Sequence, residues 1–440
     1  MVIKTIIPNN NVPEREYIIN TLLRDFLNLN CVIETDDSTE NYVFLFDSNR
    51  IIIEDHFFNK HIDNLSYLSK RNIPDTYTSI EKYDIPIIFG RDYLGISNNE
   101  IICGLDVFAS SFFLLTRWEE YVLPLGKYRL RCDESELFCV KQGLEKRPLV
   151  NEYIAMLSDF FSHFGLCIHP ERQFAIFPTH DVDRLFLSSF PVLIKNLSDM
   201  VFIKRLYKKA FITFWRYLYY CMLFSDPFDS FNDLMNISDS LKVKSSFYFK
   251  ASGDGETGTT YFFNDIRTKN AIENIINRGH KIGFHPSENT FNNEQQFEKE
   301  FYRLQGISAS VKGGRQHNLL YNKNTFGIWD RLDLEYDSGY GFQYRNGFRC
   351  GICYDFKIFD VVMRREMRLK EIPFLLMDSA FIRQRSSFSE MEEESMRIID
   401  IVKKYNGILC TVWHTNLFNS IEGKKTKHLY YKLMKYAGNG

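Results

Sequence analysis

The stretch FAIFPTHDVD, from Phe174 to Asp183, is an apolar run that ends in one histidine and two carboxylates. A run of this length with a proline near its end predicts a buried strand. Side chains alternate faces along a strand, so Asp181 and Asp183 are expected to point the same way. Two carboxylates held together at the end of a strand are costly unless a cation or a shared proton compensates them. The alternative is a turn whose aspartates bind backbone amides.

Two later stretches repeat this pattern of an apolar strand followed by a titratable side chain. Residues 278–285, RGHKIGFH, are a helix end and a short strand that closes with a histidine, and residues 407–414, GILCTVWH, are a longer strand with the same ending. A weaker strand candidate, 307–311, precedes the cluster GGRQH at residues 313–317. Titratable side chains that repeatedly follow strands favour a barrel of parallel strands with its active site at their carboxyl ends.

Length, charge and cysteine content narrow the class of protein. A chain of 440 residues exceeds one typical domain and predicts two. The formal net charge of −2 gives no electrostatic case for a nucleic acid as partner. The first residues, 1–8, lack the longer apolar core and cleavage site of a signal peptide and predict a strand. Nine cysteines without a framework argue against a full disulfide set, so the predicted location is the reducing cytoplasm.

The candidate catalytic and metal-binding residues all lie after about residue 170. Residues 1–150 contain short strand-like runs and a helical stretch, but no titratable cluster of catalytic spacing, and are predicted to form a separate α/β domain. From about residue 170, strands alternate with amphipathic helices, as in an α/β barrel. The second domain is therefore predicted to span 170–440, with an inserted helical segment at about 190–240.

The segment 204–224 is both aromatic and basic. It is too short, and too interrupted by Arg216, to predict a transmembrane helix. A basic helix rich in aromatic residues can lie in a membrane interface, which would make the protein membrane-associated by peripheral contact. The alternative is an inserted helix that packs on the barrel.

With these residues in place, the second half of the chain resembles the polysaccharide deacetylases, the NodB-homology carbohydrate esterases. The resemblance implies a distorted (β/α) barrel of the NodB-homology type that removes N- or O-acetyl groups from sugars with a bound divalent metal. In the family's first motif, T-F-D-D-G, a general-base aspartate precedes a metal-ligand aspartate. Residues 179–183, THDVD, resemble a D-x-D variant of it, which implies Asp181 as the base and Asp183 as the ligand.

The second motif of the family supplies the other metal ligands. Residues 279–289, GHKIGFHPSEN, are similar to G-H-E-I-G-x-H-x-x-x-H as far as the ligand His285, but Asn289 replaces the second ligand histidine. An amide oxygen is a weak, neutral ligand, poor for zinc and more acceptable to harder ions. Asp183, His285 and Asn289 are thus predicted to hold zinc, or else cobalt, nickel or manganese. The alternative is that His317 or water completes the set.

The remaining motifs imply the groups that assist the acid–base chemistry. Arg315 fits the third motif, an arginine that orients the base, and residues 336–338, YDS, resemble the fourth. The pair WH at 413–414 resembles the fifth, in which His414 is the general acid. Residues 1–150 resemble an N-terminal extension of unknown function that precedes some bacterial deacetylase-like domains.

Further polar and aromatic side chains are expected to contact the substrate or to orient the reacting groups, namely His180, His317, Asp337, Asp378 and Trp413. One of the two aspartates would tune the charge of the acid histidine, and the indole ring would pack against the sugar. His180 would hydrogen-bond a carboxylate or a carbonyl. His317 is either a replacement metal ligand or a substrate contact.

These residues predict a hydrolytic mechanism. A divalent ion on Asp183 and His285 would polarise the acyl carbonyl and lower the pKa of a bound water towards about 7. Asp181, kept ionised by Arg315, would take the proton of the attacking water. His414 would then protonate the leaving amine or alcohol.

Two functions of different classes follow. The first is a metal-dependent hydrolase that removes an acetyl or similar acyl group from a sugar in polysaccharide or envelope glycan metabolism, where the sugar is free or lipid-linked. The second is a catalytically inactive, deacetylase-like domain that binds glycans. Asp181, Arg315 and His414 count against the second function, because a pure binder needs no base, orienting arginine and acid.

Overall fold

The computed structural model describes residues 2–125, 132–166, 168, 172–186, 193–194, 197–203, 205–222, 226–252 and 261–439. The strands in chain order are β1 (Ile3–Ile7), β2 (Cys31–Thr35), β3 (Tyr42–Phe46), β4 (Asn49–Ile53), β5 (Thr78–Ile80), β6 (Ile85–Ile87), β7 (Gly90–Ile96), β8 (Glu100–Leu105), β9 (Ala175–Val182), β10 (Ser246–Phe249), β11 (Lys281–Phe284), β12 (Gly313–Gly314), β13 (Tyr336–Asp337), β14 (Phe356–Asp360), β15 (Arg365–Glu371), β16 (Leu376–Met377) and β17 (Ile408–Val412).

The α-helices in chain order are α1 (Val12–Ile19), α2 (Val107–Thr116), α3 (Glu119–Val122), α4 (Phe138–Lys141), α5 (Leu149–His163), α6 (Tyr207–Cys221), α7 (Phe231–Ser240), α8 (Ile266–Asn277), α9 (Glu294–Gln305), α10 (Thr325–Arg331), α11 (Asp378–Gln384), α12 (Phe388–Lys404), α13 (Thr415–Phe418) and α14 (Lys424–Gly438). Two segments are wound as π-helix, Asn20–Phe26 and Asp199–Ile203. Short 3₁₀ turns lie at Phe58–Lys60, Lys70–Asn72, Glu134–Glu136, Glu288–Thr290 and His317–Leu319.

The chain divides into two units, and the division is not a single cut in the sequence. Unit 1 comprises residues 1–175, 319–375 and 398–409, and unit 2 comprises residues 176–318, 376–397 and 410–440. The sequence predicted two contiguous domains, 1–150 and 170–440. Strands β13, β14 and β15 instead group with the N-terminal residues, so the predicted boundary does not describe this part of the chain.

Unit 1 contains a mixed six-stranded sheet with the order β2-β1-β3-β4-β8-β7. The pairs β1–β2 and β4–β8 are parallel, and the other pairs are antiparallel. Every residue of helix α2 is buried, and Asp106 caps this helix by accepting a hydrogen bond from the Ala109 amide at 3.0 Å. The predicted α/β character of the N-terminal residues agrees with this arrangement.

Aromatic packing explains why the β14–β15 pair belongs to unit 1. The Phe359 ring lies 4.8 Å from the ring of Tyr17 and 5.4 Å from that of Phe112. The Tyr17 hydroxyl donates a hydrogen bond to the Lys357 carbonyl at 2.7 Å. Burial of such large rings is a dominant stabilising term, so the hairpin packs where its rings find partners. Distant parts of the sequence thus share one core.

Unit 2 contains parallel strands in the order β12-β11-β10-β9-β17-β16. The pairs β9–β10, β10–β11, β11–β12 and β16–β17 are parallel. Helices α7, α8 and α9 precede strands β10, β11 and β12, which is the predicted alternation of helices and strands. The chain is therefore a mixed α/β protein. The predicted barrel is not confirmed, because none of the sheets that the described residues form is closed.

Two details of the strands and helices differ from the sequence prediction. The predicted weak strand over 307–311 is irregular, and β12 is limited to two glycines, Gly313 and Gly314. A Cβ on Gly314 would lie 1.8 Å from the Phe284 carbonyl oxygen, so only glycine permits this close approach to β11. In the predicted inserted segment, a π-helical turn and α6 are present, whereas Lys204, Leu223 and Phe224 lie outside the described residues.

Candidate metal and acid–base site

Strand β9 carries two carboxylates to its carboxyl end. Asp181 is the penultimate residue of the strand, and Asp183 follows the last one. The nitrogen Nε2 of His285 lies 3.9 Å from Asp181 Oδ2 and 3.6 Å from Asp183 Oδ1. The alternation of strand side chains has thus placed both carboxylates on the same side, next to one imidazole. Cationic and imidazole side chains contact both carboxylates, as expected for two negative charges held together at the end of a strand.

Arg315 holds the Asp181 carboxylate in its ionised form. One guanidinium nitrogen lies 2.7 Å from Asp181 Oδ1, and the other donates to the Thr179 hydroxyl at 2.9 Å. Burial raises the pKa of Asp181, but the charge of Arg315, together with those of His285 and His414, outweighs burial, and the pKa lies below its ordinary value. The predicted base is therefore a buried carboxylate with its orienting arginine in place.

Three side chains of unit 2 form a group that can hold a metal ion. Asp183, His285 and His317 offer ligand atoms that all lie within 4.8 Å of one another. His317 Nδ1 is 3.4 Å from Asp183 Oδ1 and 3.1 Å from His285 Nε2. A carboxylate with two imidazoles is a donor set that suits divalent transition metals.

Hydrogen bonds determine the tautomers of the two imidazoles. The Nδ1–H of His285 donates to the Arg315 carbonyl at 2.6 Å, because a carbonyl can only accept, and its Nε2 is left as an acceptor. The Nδ1–H of His317 then donates to that Nε2, and its own Nε2 accepts from the Lys250 ammonium at 3.3 Å. The orientation of His285 is the one that a metal-binding imidazole uses.

Burial keeps His317 neutral. It lowers the pKa of His317 to about 3, although the charge of Asp183 opposes the effect. A neutral imidazole is the form that binds a metal. His317 was foreseen as an alternative third ligand, and the structure brings it to Asp183 and His285. Asn289 is exposed in the turn Glu288–Thr290, and its role as a ligand stays a prediction.

Lys250 is a site residue that sequence reasoning missed. Its buried ammonium lies 2.6 Å from Asp183 Oδ1. Burial raises the pKa of Asp183, but Lys250 and the neighbouring histidines hold it well below its ordinary value. The signal was present in the sequence, because Lys250 directly follows the apolar strand β10, as the other titratable residues follow theirs.

The predicted acid is held by one carboxylate. His414 follows strand β17, and its Nδ1 lies 2.6 Å from Oδ1 of Asp378, the first residue of α11. Its Nε2 points to Asp183, with 4.0 Å to Oδ2. Burial lowers the pKa of His414, but the Asp378 carboxylate, together with the charges of Asp183 and Asp181, outweighs burial and raises the pKa to about 9. His414 is therefore protonated at neutral pH and can donate a proton at Nε2.

Two of the residues predicted beside the site are part of the core. His180 is buried, with Nδ1 3.2 Å from the Trp413 carbonyl and Nε2 3.2 Å from the Ser245 hydroxyl, which fits the predicted bond to a carbonyl. The predicted contact of Trp413 with a sugar is wrong, because the ring is fully buried. Its indole N–H donates to the Thr426 carbonyl at 3.2 Å, and its ring packs on Tyr430.

Asp337 belongs to unit 1. There its Oδ2 accepts a hydrogen bond from the Gly339 amide at 2.9 Å. Burial, followed by the charge of Asp337, raises the pKa of Glu371 well above its ordinary value. Of the two aspartates predicted to tune His414, Asp378 is the one that binds it.

A cavity of about 750 Å³ opens beside these groups. Asp183, Lys250 and His317 contribute to its wall. Further lining residues come from helix α6, with Lys209, Thr213, Arg216, Tyr217 and Tyr220, and from helix α11, with Ser379, Ile382 and Arg383. A cavity of this size can enclose a small ligand such as a sugar unit.

Comparisons with known proteins assign no function. A family model described as a family of unknown function, DUF7033, matches residues 3–165. No curated protein matches the chain. None of the described helices is both long and apolar enough to cross a bilayer.

Solved structures of probable polysaccharide deacetylases are similar to this chain at low identity. One, from Mycobacterium smegmatis, has a TM-score of 0.41 at 15% identity over 62% of this chain and 87% of its own. Another, from Pseudomonas aeruginosa PAO1, has a TM-score of 0.41 at 12% identity over 61% and 86%. The Puue allantoinase has a TM-score of 0.40 at 11% identity over 61% and 85%. Because these likenesses are weak, the function has to be inferred from the geometry of the site.

Proposed function

We propose that the chain is a metal-dependent hydrolase that removes an acetyl or similar acyl group from a sugar. One observation carries the proposal: a carboxylate paired with Arg315 and an imidazole paired with Asp378 both lie next to three possible metal ligands in unit 2. Base and acid are Asp181 and His414, and each lies within 4.0 Å of a residue of the ligand group. The resemblance of the motifs to those of polysaccharide deacetylases supports the same reaction.

The ligand group fits a divalent ion. Asp183 supplies one carboxylate, and His285 and His317 supply two imidazoles. Three protein ligands leave coordination positions for water and substrate. A bound ion supplies a Lewis acid that polarises the acyl carbonyl and acidifies water. Zinc, cobalt, nickel and manganese all remain candidates for this set.

Asp181 is proposed to remove the proton of the attacking water. Its carboxylate is ionised because Arg315 lies 2.7 Å from one oxygen. The other oxygen, Oδ2, faces His285 and the ligand group. General-base catalysis by a positioned side chain contributes about 10²–10⁴-fold to a rate.

His414 is proposed to protonate the leaving amine or alcohol. Asp378 accepts the Nδ1–H of its imidazolium, so the proton to be transferred resides on Nε2, which faces Asp183. After the transfer, Asp378 continues to hold the neutral imidazole through its Nδ1–H. The acid and base are thus already in the protonation states that hydrolysis requires at neutral pH.

A glycan-binding domain without a metal is the second candidate, and Lys250 is the observation that favours it. The lysine ammonium contacts Asp183 at 2.6 Å and thereby places a resident cation on the carboxylate that the metal would use. Because the lysine charge already balances the negative charge of the carboxylates, the site does not need a metal ion to stabilise them. Asp181 and its arginine, and His414 and its aspartate, have no evident use in such a binder.

Elemental analysis followed by an acyl-release assay distinguishes the two functions. The protein is incubated with zinc, cobalt, nickel or manganese, freed of loose ions, and assayed for acetate released from N-acetylated and O-acetylated oligosaccharides. If the protein is a hydrolase, we expect about one retained ion per chain and the release of acetate. Both the ion and the release should be lost in His285→Ala. Glycan binding without a retained ion or acetate release would favour the binder. The cytoplasmic location and the place in envelope glycan metabolism stay predictions.

A further inference from the structure

Helix α6 and the turn before it expose a row of large apolar side chains, here called the apolar stripe: Phe202, Ile203, Tyr207, Phe211, Trp215, Tyr219 and Met222. Phe202 and Met222 are each 80% exposed, and Phe211 is 65% exposed. Residues 207, 211, 215 and 219 recur every four positions, so they share one face of the helix. Exposed apolar patches of this kind mark interaction surfaces.

The opposite face of the same helix lines the cavity beside the candidate site. Lys209, Thr213 and Tyr217 contribute to the cavity wall together with Asp183 and His317. This face is also attached to the rest of unit 2. Arg216 forms an ion pair with Glu422, and the Tyr220 hydroxyl accepts a hydrogen bond from the Ile421 amide at 3.2 Å. Helix α6 therefore separates the cavity from the apolar stripe.

The charge of this segment indicates what the stripe contacts. Residues 199–222 contain one acidic residue, Asp199, against five basic ones, Lys204, Arg205, Lys208, Lys209 and Arg216. Arg205 and Lys208 are exposed beside the stripe. Aromatic side chains next to basic ones suit the interface of an anionic membrane. A second copy of this chain is a poorer partner, because a symmetric contact would bring two basic segments together.

We propose that the apolar stripe docks on the surface of an anionic lipid bilayer and holds the cavity of unit 2 at the membrane. The inference deepens the proposed function and rests on it in one respect. If the site is a sugar deacylase, its substrate class is a sugar carried on a lipid, which reaches the cavity from the bilayer. Membrane docking itself depends on neither metal nor catalysis.

Intrinsic fluorescence offers a direct readout of docking. Of the four tryptophans, Trp118, Trp329 and Trp413 are fully buried, whereas Trp215 is 55% exposed and lies in the stripe. The full chain is mixed with phosphatidylcholine vesicles, with or without phosphatidylglycerol, that carry brominated acyl chains. We expect a blue shift and quenching with the anionic vesicles at low salt, a weaker effect at high salt, and loss of the quenching signal in Trp215→Phe.

Sedimentation with the same vesicles tests the stripe by substitution. Phe211→Glu and Trp215→Glu should each weaken binding to anionic vesicles at least tenfold. Ile266→Glu is the matched control, because Ile266 is 67% exposed on helix α8 of the same unit and lies outside the stripe. This control should bind as the unaltered protein does, and circular dichroism should show that all three variants are folded.

Two results would overturn the proposal. One is that the protein does not sediment with anionic vesicles at low salt. If the protein instead forms a dimer that Phe211→Glu dissociates, the stripe is a contact between copies. The other is equal binding of Phe211→Glu and Ile266→Glu. Because vesicle binding is measured without substrate or metal, its failure leaves the hydrolase proposal intact. A failure of acyl release likewise leaves the docking result intact.

Discussion

The carboxylate of Asp378 binds His414 at two atoms. Its Oδ1 lies 2.6 Å from Nδ1 of the imidazole, and its Oδ2 accepts the backbone N–H of His414 at 2.9 Å. The second bond fixes the carboxylate relative to the main chain, so the ring cannot turn away without losing its partner. This pairing determines both the direction in which Nε2 points and the charge that the ring carries.

The pairing predicts the alkaline limb of the pH–rate profile. His414 must be protonated to act as an acid, so kcat/KM should fall as the pH rises through its pKa of about 9. Asp378→Asn removes the charge that raises this pKa. The alkaline limb should therefore move to lower pH by roughly 1–3 units.

Asp337→Asn is the control for this shift, because the sequence offered both aspartates as partners of His414. Oδ2 of Asp337 accepts the Gly339 amide, whereas Asp378 is the carboxylate bound to His414, so the substitution of Asp337 should leave the position of the alkaline limb unchanged. An unmoved limb in Asp378→Asn, or the same shift in both variants, would contradict the assignment of the acid.

The identity of the third metal ligand can be tested with a pair of variants. His317→Ala should lower the affinity for the metal about tenfold or more, because even residues that only orient a ligand have effects of that size. Asn289→Ala should retain the ion, since Asn289 is exposed whereas Nδ1 of His317 lies 3.4 Å from Asp183 Oδ1. Isothermal titration with zinc and manganese measures both. Loss of the ion in Asn289→Ala alone would instead support the ligand set that the family motif implies.

Lys250 should oppose metal binding. Its ammonium occupies Asp183 Oδ1, so a metal ion must compete with it for that carboxylate. Lys250→Met removes the competing charge and should tighten metal binding about tenfold, which corresponds to about 1.4 kcal/mol. Lys250→Arg keeps the charge and serves as the control. Weaker metal binding in Lys250→Met than in Lys250→Arg would show that the lysine instead supports the ligand group.

Asp181→Asn should separate catalysis from metal binding. The amide cannot accept the proton of the attacking water, so kcat should fall about 10²–10⁴-fold. The metal content should stay the same, because Asp181 is not a member of the group Asp183, His285 and His317. Single-turnover acyl release and elemental analysis of the same preparation measure the two quantities. Undiminished turnover would refute the role of Asp181 as the base.

Much of the candidate site could be predicted from local sequence. Asp181 and Asp183 lie on the same side because side chains alternate along a strand. Asp183 and His414 each follow an apolar run that the sequence identifies as a strand. Parallel strands bring their carboxyl ends to one edge, so residues far apart in the chain meet there. The predicted barrel is not confirmed by the described residues. The order of the strands and the closure of a sheet depend on which strands pair, and the hydrophobic pattern of a sequence does not determine those pairs.

Other features depended on contacts that no local pattern contains. Trp413 directly precedes His414, yet its ring is buried in the core against Tyr430 and leaves no face for a sugar. The β14–β15 hairpin belongs to unit 1 because the Phe359 ring finds Tyr17 and Phe112 there. A residue's sequence neighbours predict the direction of its side chain along a strand, but not which distant rings will fill the space beside it.

The sequence by itself determined that the chain is an α/β protein and that carboxylate and histidine side chains follow its strands, which predicted a base, an acid and metal ligands there. Alternation and strand ends are properties of a few consecutive residues, which is why a single sequence reveals them. Only the tertiary structure decided that Asp378 binds His414, that His317 joins Asp183 and His285, and that Lys250 contacts Asp183. Those choices depend on the register between strands and on the packing of the helices between them, which many distant residues set together.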